Sequence, residues 1–330
     1  MERFPDNTSA WLEGFPGSGK PSIRRTALVG DIAQKVEAFG SLITNSPSFT
    51  GKTSLAKLMY NHWRSHGKHV FFLTFAPLNP GEDLNEYFKF RLGLKVAEVM
   101  KSNGFLILDE TQNIFNYSAV WGSLKAGASC CKVLAFSVFG LSRAGNDRSP
   151  PEFQQKLYYD DIKFSNEECA ELVHSFCQIE ANNRSILVPE ILGDIFQYVN
   201  NHPGLVYLAL HTLCYEFTRN PYNARKTAEF QQLIVRGELQ SVLQNARCFR
   251  MTYDKISNIL GDSTNETLNT LITVGFLVLP DNEHPLLDLH RYGICIADRQ
   301  EKLLKFSSGI MMEFYKTQYY KPSTACQGLL

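Results

Sequence analysis

Residues 41–63 read SLITNSPSFTGKTSLAKLMYNHW. The first four residues, with Leu42 and Ile43 at their centre, suit a short buried strand. From Thr53 the apolar residues Leu55, Met59 and Trp63 recur four apart, which predicts a helix over 53–65. A phosphate group needs inward-pointing backbone N–H groups, a helix N-terminus, a lysine for its β and γ oxygens and a hydroxyl for a divalent cation. Gly51, Lys52 and Thr53 supply the lysine, the hydroxyl and the tight entry into the helix. Ser46, Pro47, Ser48, Phe49, Thr50 and Ser54 complete the candidate nucleotide-binding loop. The frame G-x-x-x-x-G-K-[ST] asks for glycine where this chain has Ser46, and a side chain there restricts φ.

A competing loop lies upstream, where Gly14, Gly19 and Lys20 match the glycine and lysine positions. Pro21 stands there in place of the hydroxyl, and neither a convincing strand nor a strong helix flanks it. Residues 53–65 and the strand before them therefore favour Lys52.

A second motif strengthens this choice. The run Phe105, Leu106, Ile107, Leu108 ends in Asp109 and Glu110, the pattern of a buried strand delivering two carboxylates at its C-terminal edge. That edge is where ligands bind in open parallel sheets. An aspartate there, with Thr53, can hold Mg²⁺ directly or through water, and the following glutamate can orient and polarise an attacking water. Ser137, at the end of the next apolar run, is a candidate sensor of the γ-phosphate, with a backbone-bonded core serine as the alternative. Arg143 is a candidate to reach a neighbouring subunit's phosphate; Arg143 and the nearby Arg148 also read as solvated loop residues. Gln112 and Asn113 read as caps of a following helix or as water-positioning groups.

Short apolar runs at 41–44, 69–75, 105–108 and 132–139, with a fifth at 156–164, alternate with helical patterns at 26–39, 53–65, 84–100 and near 118–125. Runs such as FLIL and VLAFSVF lack polar alternation, as strands covered on both faces do. The fold class is therefore α/β, a parallel sheet between helices. Beyond residue 164 helical periods dominate, at 165–178, 188–199, 204–218 and 227–244. Residues 248–330 then give short helices, a strand-like GFLVL and an apolar LLDLH, the order of a winged-helix-like unit. The expected divisions are an extended arm over 1–25, a phosphate-binding core over 26–164, a helical lid over 165–246 and the winged unit with a tail over 247–330.

With 330 residues, 44% of them hydrophobic and 33 basic against 33 acidic, the chain carries no global field toward nucleic acid or anionic membrane. No secretory signal or apolar run of membrane-spanning length is seen, and eight cysteines lack the spacing of a zinc site. These features point to an intracellular protein of the cytoplasm or nucleus. His62 and His66 share a helix face without the glutamate of a metalloprotease frame and read as ordinary histidines.

The segments SPSFTGKTSL at 46–55, LILDETQ at 106–112 with Trp121 beyond, AFSVFG at 135–140 and NNHPGL at 200–205 carry a family likeness. On them the chain resembles P-loop ATPases of the AAA-like and STAND class, and more closely the ATPase region of Crinkler-type effector proteins and their fungal relatives. The likeness spans residues 25–315. It implies sheet order 5-1-4-3-2, a helical lid, a winged helix, ATP or ADP with Mg²⁺ as ligands, and Pro203, with His202, beside the adenine. Asn201 stands where that class has a glycine. A homo-oligomer and an unidentified protein partner fit the same class.

No N-K-x-D base motif is present, which disfavours a GTPase, and no arginine-rich acceptor pocket suggests a nucleotide kinase. A nucleotide-held switch with little turnover remains a rival. A nucleic-acid role for the C-terminal unit is less favoured, since its basic residues form no dense stripe.

Overall fold

The computed structural model describes residues 21–47, 49–79, 81–115, 117, 121–122, 129–138, 153, 155–179, 189–219, 262–278, 289, 294–298 and 303–319. Lys20, Ser48, Arg143 and Arg148 lie outside them, as do most of the helix expected near 118–125 and all of that over 227–244. The chain divides into two compact units, one of residues 1–46 and 51–162, the other of Pro47–Thr50 with 163–330.

The first unit opens with helix α1 (Thr26–Phe39), followed by β1 (Ser41–Asn45), α2 (Lys52–Ser65) and β2 (Val70–Thr74). Helices α3 (Leu84–Leu92) and α4 (Val96–Lys101) lead to β3 (Phe105–Asp109), then to β4 (Lys132–Ser137), β5 (Gln155–Leu157) and a short α5 (Tyr159–Ile162). The strands form one parallel sheet in the order β2-β3-β4-β1-β5, which is the expected 5-1-4-3-2 read from the other edge.

Strand side chains alternate between faces, and here both faces are apolar. Leu42, Phe105, Ile107, Leu134 and Phe136 pack with Val29, Ile32, Val36, Leu55, Met59 and Trp63 of α1 and α2. Their neighbours Ile43, Leu106, Leu108, Val133 and Ala135 pack on the opposite side with Leu84, Phe88, Val96, Val99 and Met100 of α3 and α4. Trp63, the largest fully buried side chain among the described residues, stacks on Phe105 with ring centroids 4.4 Å apart, and truncating it would cost about 3–5 kcal/mol. The two-sided burial is why the strand sequences read as continuous hydrophobic runs.

Two expectations are corrected. The single helix expected over 84–100 is two, because Gly93 takes a left-handed φ of 75° and ends α3. The Lys95 N–H then donates to Glu98 Oε2 at 2.6 Å and starts α4 afresh. The fifth run, 156–164, is a strand for only its first residues and turns helical at Tyr159.

The second unit contains helices α6 (Asn166–Ile179), α7 (Pro189–Tyr198), α8 (Pro203–Arg219) and α9 (Asp262–Val274), strands β6 (Leu277–Val278), β7 (Cys295–Asp298) and β8 (Leu303–Phe306), and α10 (Gly309–Tyr319). The three strands form an antiparallel sheet in the order β6-β8-β7. Leu268 and Leu271 of α9 cluster with Leu304 of β8 and with Phe314 and Tyr315 of α10. Among the described residues no helix is long and apolar enough to cross a membrane.

Candidate functional site

The loop between β1 and α2 begins with Ser46, whose N–H donates to the Ser137 carbonyl at 3.3 Å. Ser46 is buried and is absent from the residues with positive φ, so the serine stands in a conformation that does not require glycine. Positive φ falls instead on Phe49, at 69°, and on Gly51, at 79°. Gly51 is the residue before α2, and having no side chain it leaves that helix start without a side-chain cap. Such a terminus presents backbone N–H groups and the positive end of the helix dipole. Thr50 Oγ1 donates to the Pro47 carbonyl at 2.9 Å and closes the loop on itself.

Lys52, the first residue of α2, is buried, and its Nζ donates to the Ser46 carbonyl at 3.1 Å. Burial pushes its pKa down, while the charges of Glu110 and Asp109 push it back up. Thr53 follows, exposed, and its hydroxyl donates to Asp109 Oδ2 at 2.8 Å. That bond ties the loop to the end of β3, two strands away in the sheet. Ser54 is half-buried on α2.

Asp109 is 1% exposed, and its second oxygen, Oδ1, is buried with no hydrogen-bond partner. Its pKa is pushed up to about 6, by burial first and the Glu110 charge second, against the Thr53 hydrogen bond and the Lys52 charge. An unsatisfied buried carboxylate oxygen beside a hydroxyl and a lysine is a set of groups that a cation would complete.

Glu110 adopts a left-handed φ of 58°, unusual for a residue with a side chain. Its Oε2 accepts from Gln112 Nε2, and the Val138 N–H donates to Gln112 Oε1 at 3.2 Å. Thr111 Oγ1 donates to the Phe136 carbonyl at 3.0 Å. Asn113 Nδ2 donates to the Phe75 carbonyl at 3.0 Å. Gln112 and Asn113 thus tie this turn to the ends of neighbouring strands, in place of the helix-capping role expected for them. Ser137 is buried at the end of β4, with its hydroxyl donating to the Val138 carbonyl at 3.1 Å, a backbone-bonded core serine as observed.

The first unit therefore brings together Lys52, Thr53, Asp109, Glu110 and Ser137 at the C-terminal edge of the parallel sheet. In the second unit Pro203 begins α8, behind a buried His202 whose Nδ1 accepts from the Leu205 N–H at 3.4 Å. Phe49 lies 6.4 Å from the His202 ring, centroid to centroid. A Cβ built on Gly204 would overlap the Phe49 ring and carbonyl. The two features that sequence reasoning missed are the Gln112 bridge and the approach of Phe49 to Gly204. No spacing rule signals either one, since the first depends on a strained turn and the second on chain segments far apart in sequence.

A five-stranded parallel sheet of this order, with a strand–loop–helix carrying lysine and threonine and a strand two places away ending in aspartate, matches the P-loop NTPase fold. Among solved structures the chain is similar to the Walker-type ATPase PABY2304 of Pyrococcus abyssi. The two share 11% identity at a TM-score of 0.58, over 88% of this chain and 95% of that one. The RuvB Holliday junction branch migration motor of Thermotoga maritima matches at 13% identity and a TM-score of 0.47, over 94% and 99% of the two chains. Domain III of the Thermotoga maritima replication initiation protein DnaA matches at 16% and 0.43, over 68% and 96%. No protein-family model and no curated protein matches the chain.

Proposed function

We propose that the chain binds ATP with Mg²⁺ and hydrolyses it, coupling occupancy or turnover to a conformational or assembly switch. The observation that carries this reading is the Thr53–Asp109 hydrogen bond beside an unsatisfied Asp109 Oδ1, with Lys52 and Glu110 as charged neighbours. Thr53 and Asp109 would hold Mg²⁺, which supplies charge neutralisation at the β and γ oxygens of the nucleotide. Lys52 and the start of α2 bind those oxygens, and the loop Ser46–Ser54 wraps them, with backbone N–H groups from the residues beyond Pro47. Glu110 orients and polarises the attacking water, Ser137 senses the γ-phosphate, and Arg143 completes a neighbouring subunit's site in a homo-oligomer. Pro203 is assigned to the adenine side, and the β6-β8-β7 sheet with α9 and α10 to a winged-helix-like unit. The closer likeness to STAND and Crinkler-type ATPases rests on the sequence segments at 46–55, 106–112, 135–140 and 200–205.

Equilibrium binding of ATP, ADP and GTP with and without Mg²⁺, alongside a turnover assay, tests the proposal. ATP should bind in preference to GTP, with Mg²⁺ strengthening the complex. Glu110→Gln should retain ATP binding and lower turnover by roughly 10²- to 10⁴-fold, because an amide fills the space but cannot accept a proton from water. A wild-type protein that binds ATP and never turns it over would replace hydrolysis with a nucleotide-held switch. Absence of nucleotide binding would remove the reading altogether.

A further inference from the structure

We propose that Gln112 is the positioning residue of Glu110, fixing the carboxylate's orientation and tying it to the end of β4. The inference rests on the ATPase reading for what Glu110 does, and on the structure for how it is held. Glu110 sits at φ 58° and ψ 41°, a region that a non-glycine residue keeps only where its surroundings over-determine it. The surroundings here are specific. The Phe75 N–H donates to the Asp109 carbonyl at 2.9 Å, and the Asn113 N–H to the Glu110 carbonyl at 3.1 Å. Thr111 and Asn113 anchor the same turn through their side chains to Phe136 and Phe75. These bonds hold the backbone; Gln112 alone among these residues bonds to the Glu110 carboxylate itself.

The bridge has a fixed polarity. A backbone N–H can only donate and a carboxylate can only accept, so the amide must turn its oxygen to Val138 and its nitrogen to Glu110. Only an amide of this reach serves both at once. The carbonyl of Val138 also accepts the Ser137 hydroxyl, so the proposed γ-phosphate sensor and, through Gln112, the proposed water-orienting carboxylate are both tied to the backbone of one residue. The bond to Glu110 takes Oε2 and leaves a second oxygen for water. The bridge therefore orients the carboxylate while leaving it able to polarise the nucleophile.

The two ends can be separated by substitution in the full chain. Gln112→Met keeps side-chain volume and removes both bonds, whereas Gln112→Glu keeps an acceptor for Val138 and loses the donor to Glu110. Turnover, ATP affinity and hydrogen exchange at the Val138 amide would be measured for each, with melting curves to establish folding. Gln112→Met should lower kcat about tenfold or more, as loss of a hydrogen bond to a charged group does, with ATP affinity changing far less and Val138 exchanging faster. Gln112→Glu should lower kcat as much while Val138 stays protected. A Gln112→Met protein with unchanged or higher kcat, or a Gln112→Glu protein as active as wild type, would overturn the assignment. Should wild type turn over no ATP, the ATPase reading falls separately. The bridge is then decided by NMR of the Gln112 side-chain amide, whose protons should exchange faster in Glu110→Ala; an unchanged resonance and exchange rate would reject it.

Discussion

Replacing Asp109 by asparagine removes a charge that the folded chain holds against its environment. In the fold the carboxyl is 1% exposed and its pKa rises from the ordinary 3.8 to about 6. Between those two values the folded chain binds a proton that the unfolded chain has already released, so stability falls as pH rises through that window. At 1.36 kcal/mol for each tenfold change in acidity, the loss is about 3 kcal/mol, reached above the folded pKa and absent below the unfolded one. The amide of the variant has no such titration. Without nucleotide or divalent cation, Asp109→Asn should therefore melt about 6–12 °C above wild type at about pH 8, taking 2–4 °C for each kcal/mol. The gap should close as pH falls toward about 4, where wild-type Asp109 is protonated. Saturating Mg²⁺ and ATP should reverse the order, because only the wild-type carboxylate gains from the cation. Thermal melting across pH, with a chelator and then with Mg²⁺ and ATP, reads all three. A gap that is constant across pH, or an apo variant less stable than wild type at the alkaline end, would refute the reasoning.

Lys52→Ala should weaken ATP binding by roughly 10- to 150-fold, the equivalent of one charge-assisted hydrogen bond, and abolish measurable hydrolysis. Lys20→Ala should leave binding nearly unchanged, since Pro21 gives that loop no hydroxyl; a folded Lys52→Ala protein with normal affinity beside a defective Lys20→Ala protein would exchange the two assignments. Gly204→Ala should destabilise by about 1–3 kcal/mol, because its methyl would enter the space of Phe49. Measured by chemical unfolding, the loss should shrink in a Phe49→Ala background, and a stabilising Gly204→Ala would contradict the close approach.

The sheet was legible because its strands are buried on both faces, so FLIL at 105–108 and VLAFS at 133–137 announce themselves by unbroken hydrophobicity. That Thr53 and Asp109 meet was legible because the loop after one buried strand and the last residue of another lie at the same edge of a parallel sheet. The split at Gly93 was not, since a glycine inside a helical period can be tolerated as easily as it can end a helix. Ser46 looked like a defect only because the motif was read as demanding glycine there; the observed backbone puts left-handed residues at 49 and 51 instead. The Gln112 bridge was hidden for a different reason. Residues two apart meet only when the chain between them takes an unusual turn, and nothing in DETQ signals that Glu110 does so.

The sheet order also dictates a timetable. Strand β2 finds β3, and β3 finds β4, each with the next strand in the chain: Val70 pairs with Phe105, and Phe105 with Lys132. Strand β1 has no such neighbour, because Ser41 pairs with Val133 and Leu42 with Gln155. The first of these five strands to leave the ribosome is thus the one whose partners arrive last, and its edges stay unpaired until β4 has been made. Closing so long a loop is slow, and until it closes the backbone edges of β1 lack their strand partners. The phosphate loop grows directly out of this strand, so the ability to grip a nucleotide should be among the last properties a nascent chain acquires.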